Sequence, residues 1–225
     1  MHRSKSAHVR RSLEVAALGG FFIAAAVGNI CHAQCYTPDT HLVGRRDSLQ
    51  RPIWQAGLPD RYVHYVRAKK SEEQWTWSAC VQMIAAIYDI PITQQQVIKK
   101  LEKRQTNTTR PESEIANALC GYAIKRDGTQ AWIGLAAYPL VSGAEETISN
   151  LSCHRPFLAR MKDRNGEGGH VYLLTSVTYV LDSKGAPVLC SALLRDPLPK
   201  SPAKIEISWS EFMSRTTLIA SVSIE

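Results

Sequence analysis

Two patterns in this 225-residue chain predict an α+β fold. Between residues 70 and 121, apolar residues recur every three or four positions, as on one side of a helix. From Pro156 onward, short runs rich in Val, Leu, Ile, Tyr and Thr are punctuated by turn residues, as in an antiparallel sheet. Helices first and an antiparallel sheet afterwards argue two halves meeting at a cleft. With 44% hydrophobic and 21% charged residues, the composition suits one sizeable core.

Residues 1–33 are a different material. His2, Arg3, Lys5, Arg10 and Arg11 make a basic start, Ala16 to Val27 is apolar, and Asn29 to Ala33 is a small-residue exit. This is the three-part plan of a secretory signal peptide cleaved after Ala33. Its apolar stretch is too short for a bilayer, which takes roughly 20 residues, so no membrane association is expected after cleavage. The expected location is outside the cytoplasm, periplasmic or secreted. Cleavage removes four basic residues and Glu14, lowering the net charge from +7 to +4. Those charges are scattered, which argues against a nucleic-acid partner.

Residues 34–69, with Pro38, Gly44, Pro52, Gly57 and Pro59, read as an extended N-terminal arm, with a short strand at Tyr62–Val66. Residues 70–225 form the main domain, a helical half (70–121) and a β half (122–225). A helix over Thr76–Tyr88 has Trp77, Cys80, Val81, Ile84 and Tyr88 at helical spacing and few polar positions, so it should be central and buried. Asp89-Ile90-Pro91 ends it. Thr93-Gln94-Gln95-Gln96 is a capping box for a helix reaching about Lys103. A third helix begins near Pro111 and stops at Gly121.

In the second half, Gln130–Tyr138 is strand-like or irregular and Ala144–Leu151 is a short helix. Strands follow at Phe157–Met161, His170–Leu181, Val188–Leu194, Lys204–Ile207 and Thr217–Ile224. Asp182-Ser183-Lys184-Gly185 is a hairpin turn, and Trp209–Met213 is a short helix between the last two strands.

Five cysteines remain after cleavage: Cys35, Cys80, Cys120, Cys153 and Cys190. In an oxidising compartment these allow up to two disulfides and leave one thiol over. No CxxC and no zinc-spaced His/Cys pair is present, so neither a metal nor another cofactor is expected.

Gly168-Gly169-His170 places a histidine at the start of a buried strand, and Arg195-Asp196-Pro197 places an acid at the end of the next. The hairpin between them would bring His170 and Asp196 together, the arrangement in which an acid orients a catalytic imidazole.

The chain resembles small bacterial papain-like cysteine peptidases, the group of bacteriocin-processing peptidases and secreted effector proteases, over about Tyr65 to Phe212. The resemblance rests on Trp75-Thr76-Trp77-Ser78-Ala79-Cys80-Val81-Gln82-Met83-Ile84, on Gly169-His170-Val171, on Asp196-Pro197 and on Arg155-Pro156-Phe157. It implies a papain-like fold, a peptide or protein partner in the cleft between the halves, and a histidine–acid pair at His170 and Asp196. It also implies a cysteine where this chain has Thr76, and an oxyanion glutamine where it has Lys70.

Thr76 is no substitute for a thiolate: its hydroxyl titrates far above the ~8.5 of a free thiol. In a second register, Gln74 precedes Cys80 by the six residues that separate the family's glutamine and nucleophile, making Cys80 the nucleophile and Gln74 the oxyanion donor. Otherwise Cys80 is a core or disulfide cysteine. The expected function is a catalytically degenerate, exported papain-like domain that binds peptide or protein. The alternative is an active cysteine peptidase or amide hydrolase using Cys80, His170 and Asp196.

Overall fold

The computed structural model describes residues 40–69, 73–102, 120–138, 143–166 and 169–224. The chain divides into two units, Met1–Gln34 and Cys35–Glu225, and all described residues belong to the second. The signal-peptide and Cys35 expectations, Lys70, and most of the helix expected from Pro111 lie outside the described residues.

The fold is α+β: four helices and a nine-stranded antiparallel sheet are described. The strands are β1 (Thr40–Arg46), β2 (Pro52–Gly57), β3 (Gly121–Ile124), β4 (Gln130–Tyr138), β5 (Phe157–Met161), β6 (His170–Leu181), β7 (Pro187–Arg195), β8 (Lys204–Ser208) and β9 (Thr216–Ile224). The helices are α1 (Glu73–Ile87), α2 (Gln94–Glu102), α3 (Ala144–Ser152) and α4 (Trp209–Arg215), with a 3₁₀ turn at Asp60–Tyr62.

β6 is the hub. β7 pairs with it from Leu173 to Leu181, while β5 pairs with residues 170–174 and β2 with residues 176–179. Its interior is correspondingly an unbroken buried run from Val171 to Val177. Alternation along the strands assigns the two faces of the sheet. Leu158, Val171, Leu173, Leu218 and Ala220 pack with Trp77, Cys80, Met83 and Ile84 of α1. Phe157, Ala159, Tyr172, Leu174 and Ile219 pack on the other face with Leu151 of α3 and Phe212 of α4. Each fully buried leucine or isoleucine here contributes about 1.5–3 kcal/mol.

Helix ends follow from local chemistry. At the start of α2, Thr93 N–H donates to Gln96 Oε1 (2.8 Å) and Gln96 N–H donates to Thr93 Oγ1 (3.3 Å), a reciprocal capping box. α1 ends differently from the proline-driven stop that the sequence suggests. Asp89 takes a left-handed conformation (φ 59°), Ile90 N–H donates to Ala85 O, and Asp89 N–H donates to Ala86 O. This is a Schellman cap, with Ile90 returned to the core.

Residues 40–57, expected to be an extended arm, form a β1–β2 hairpin joined to the sheet through β6. Two sequence expectations need correction. Tyr62–Val66 is not a strand: the N–H groups of Tyr62 and Val63 donate to Pro59 O and Asp60 O in a 3₁₀ turn. α1 begins at Glu73, so Thr76 is its fourth residue, not its first. β3, which pairs with β4, is only four residues long, too short for a strand pattern to be read from sequence.

Two glycines permit close backbone approach. A Cβ on Gly57 (φ 151°) would lie 2.4 Å from Thr175 O, where β2 meets β6. A Cβ on Gly169 (φ 129°) would lie 2.2 Å from Met161 O, so only glycine lets the chain enter β6 against the end of β5. Gly169→Ala is expected to cost about 3 kcal/mol or more in urea unfolding. Gly44→Ala, where φ is 74° and nothing lies within 4 Å, should cost only about 1–2 kcal/mol of backbone strain.

Candidate active site

The candidate site forms where β6 begins and β7 ends. The β6–β7 ladder closes with Leu173 opposite Arg195, so Asp196 lies just past the ladder beside the first residues of β6. His170 Nε2 is 3.0 Å from Asp196 Oδ1. A carboxylate can only accept, and the same oxygen also accepts Leu198 N–H at 2.9 Å, an Asx turn supported by Asp196-Pro197. Nε2 therefore carries the proton, and Nδ1 is left as the basic nitrogen. The side chains of His170 and Asp196 are 14% and 6% exposed, which keeps this bond in a low-dielectric setting where it is strong.

Tyr172, two residues along the same face of β6, stacks on His170 with ring centroids 4.1 Å apart. Burial, and secondarily the Asp196 charge, push its phenol up to about 12. It is thus a neutral, rigid bed for the imidazole at physiological pH. The sequence reading did not single it out; its i+2 spacing from His170 on a strand was the available signal.

α1 meets the same strand one residue further on. Val171 N–H donates to Thr76 Oγ1 at 3.2 Å, and Cys80 Sγ donates to Val171 O at 3.5 Å. The four-residue spacing, one turn of about 6 Å, lets two side chains of one helix take the two polar groups of one peptide residue. Thr76 and Cys80 are both fully buried. The two registers are thus not exclusive in space: both residues reach Val171, next to His170, and neither faces solvent.

Cys80 is a free thiol whose burial, and secondarily the nearby Asp196 charge, push its pKa well above the ordinary 9.0. That opposes the lowered pKa a nucleophilic thiol requires. Gln74 lies in the first turn of α1, and its side chain is outside the described residues. Trp77 is a core residue whose indole N–H has no hydrogen-bond partner among the described residues. Cys153 is disulfide-bonded, and Cys190 is a free thiol on β7. Among the described residues, no group of three His, Cys, Asp or Glu side chains could hold a metal ion.

An open cavity of about 310 Å³ lies beside His170, walled by Leu198, Pro199, Lys200 and Ser201 on one side and by Asp163 and Gly169 on the other. The arrangement offers a ligand an oriented imidazole at the floor of a mixed polar and apolar cleft. It supplies a proton acceptor and hydrogen-bonding groups, without a solvent-facing thiol.

Two measurements follow from the burial of Cys80. Iodoacetamide on the native protein, mapped by mass spectrometry, should modify Cys190 and spare Cys80 until urea is added. The unfolded chain releases the Cys80 proton as pH rises through 9.0, whereas the folded chain holds it to higher pH. The stability contributed by Cys80 is therefore fully present below pH 9 and declines above it, by at most about 1.4 kcal/mol per pH unit. Cys80→Ala should remove that part of the alkaline slope.

Compared with family models, the chain matches none, and compared with curated proteins it finds no similar sequence.

Proposed function

We propose that this chain is an exported papain-like domain that binds a peptide or protein segment in the cleft beside His170 and does not hydrolyse it through a thiol. The observation that carries this reading is the pairing around Val171. An intact His170–Asp196 couple adjoins a helix whose residue at the nucleophile position is Thr76, with its hydroxyl already accepting from Val171 N–H. Export is part of the proposal on the strength of the basic, apolar and small-residue plan of residues 1–33.

Thr76 supplies no stable anion, since an internal threonine hydroxyl ionises far above the range of an imidazole base. A hydrolase built on Cys80 would have to form its thiolate inside the core, under Val171 O, where burial opposes ionisation. The same Nδ1 that would serve a nucleophile is suited to accept a hydrogen bond from a peptide N–H, and the cavity is open enough to admit a chain.

The test is incubation of the full chain with a tryptic digest of casein, followed by affinity recovery and mass spectrometry. Peptides should be retained intact, and His170→Ala should lower retention about tenfold, the loss of one well-placed hydrogen bond. Fragments that appear with the wild-type chain and vanish in Cys80→Ala would overturn the reading in favour of a thiol peptidase. Equal retention by wild type and His170→Ala would remove the cleft from the proposal.

A further inference from the structure

We infer that Arg67 is a positioning residue for the His170–Asp196 couple, acting through the loop after β7, and that Gln94 holds Arg67 in place. The inference concerns the same site and rests on His170 being the group that meets the ligand.

The loop from Asp196 to Ala203 contains Pro197, Pro199 and Pro202. Each removes an N–H, so the loop has few donors to satisfy its own carbonyls, and Ser201 N–H to Leu198 O at 3.3 Å is a long internal bond. The missing donors come from the irregular segment that precedes α1. Tyr65 OH donates to Asp196 O at 2.6 Å and Ala68 N–H to Pro197 O at 2.8 Å. Arg67 Nη1 lies 2.9 Å from Leu198 O, 2.8 Å from Pro199 O and 3.1 Å from Ser201 O. Residues 65–68 thus take up every carbonyl from Asp196 to Ser201 except that of Lys200.

The loop so gripped does two things at the site. It carries the Asp196 carboxylate and the Leu198 N–H that orients it, and its residues 198–201 wall the cavity beside His170. Arg67 itself is held from behind. Gln94, only 3% exposed at the start of α2, donates from Nε2 to Arg67 O at 2.7 Å and accepts Lys69 N–H at Oε1 at 3.0 Å. The guanidinium also lies 5.5 Å from the Tyr65 ring centroid. A continuous path of bonds therefore runs from α2 through Gln94, Arg67, the loop and Asp196 to His170. Arg67 is exposed and lies outside the two core clusters, so its removal should loosen this path without unfolding the domain.

Long-range ¹H–¹⁵N spectra of the ¹⁵N-histidine-labelled full chain, with His170→Ala to assign the ring, test this. In the wild type the His170 ring should be held in the Nε2–H tautomer; in Arg67→Ala the ratio of Nε2–H to Nδ1–H should fall about tenfold, toward that of an unrestrained imidazole, with an unfolding midpoint within a few degrees of wild type. Arg67→Lys should restore the preference, because the native contacts use a single nitrogen that an ammonium with three donors can replace. Gln94→Leu should weaken it. An unchanged tautomer ratio in Arg67→Ala, or a ratio that Arg67→Lys fails to restore, would overturn the inference. The measurement uses no peptide, so loss of peptide retention in the casein assay would count against the binding function and not against this one.

Discussion

The structure depends on how the N-terminal end of β6 is satisfied where β7 stops pairing with it. From Leu173 onward β7 supplies the ladder. At Val171 the ladder has ended, and a buried peptide group without partners would cost several kcal/mol. α1 fills the gap with one hydroxyl and one thiol, Thr76 accepting and Cys80 donating. This contact fixes the rotation of α1 over the sheet, and with it the burial of Trp77, Met83 and Ile84 against Leu158 and Leu173.

The same termination of β7 creates the site. Past Arg195 the chain turns at Asp196-Pro197, and the carboxylate reaches back to His170, while Gly169 lets β6 start tightly against the end of β5. Three local features thus converge on one imidazole: a strand end, an Asx turn and a glycine that tolerates a backbone approach no side chain could. Tyr172 beneath the ring and the segment 65–68 behind the loop complete its support. The cleft gains an oriented base while Thr76 and Cys80 of α1 are engaged by the sheet.

That division of labour bears on chemistry. A thiol that donates to a core carbonyl is stabilised as the neutral form, whereas a nucleophilic thiol is stabilised as the anion. Cys80 is of the first kind. Tyr172, against the His170 ring, is likewise held neutral far above physiological pH.

Much of the local structure was legible in the sequence because it is decided by neighbours in the chain. The Thr93–Gln96 capping box, the Asp182–Gly185 turn, the apolar runs of the later strands and the approach of His170 to Asp196 across a hairpin depend on local sequence and spacing. What only the tertiary structure decided involves partners far apart in sequence. Residues 40–57 are a hairpin because β6 leaves an edge open beyond Thr175, which no local composition reveals. Thr76 and Cys80 look like rival nucleophile positions in the sequence; the fold presents both to the backbone of one residue, 91 or more positions away, and buries them together. Arg67 reads as a surface cation until a proline-rich loop, 131 residues on, is placed against it. Burial and hydrogen-bond partnership are properties of the packed surroundings, so a side chain's type suggests a role that its neighbours then confirm or withdraw.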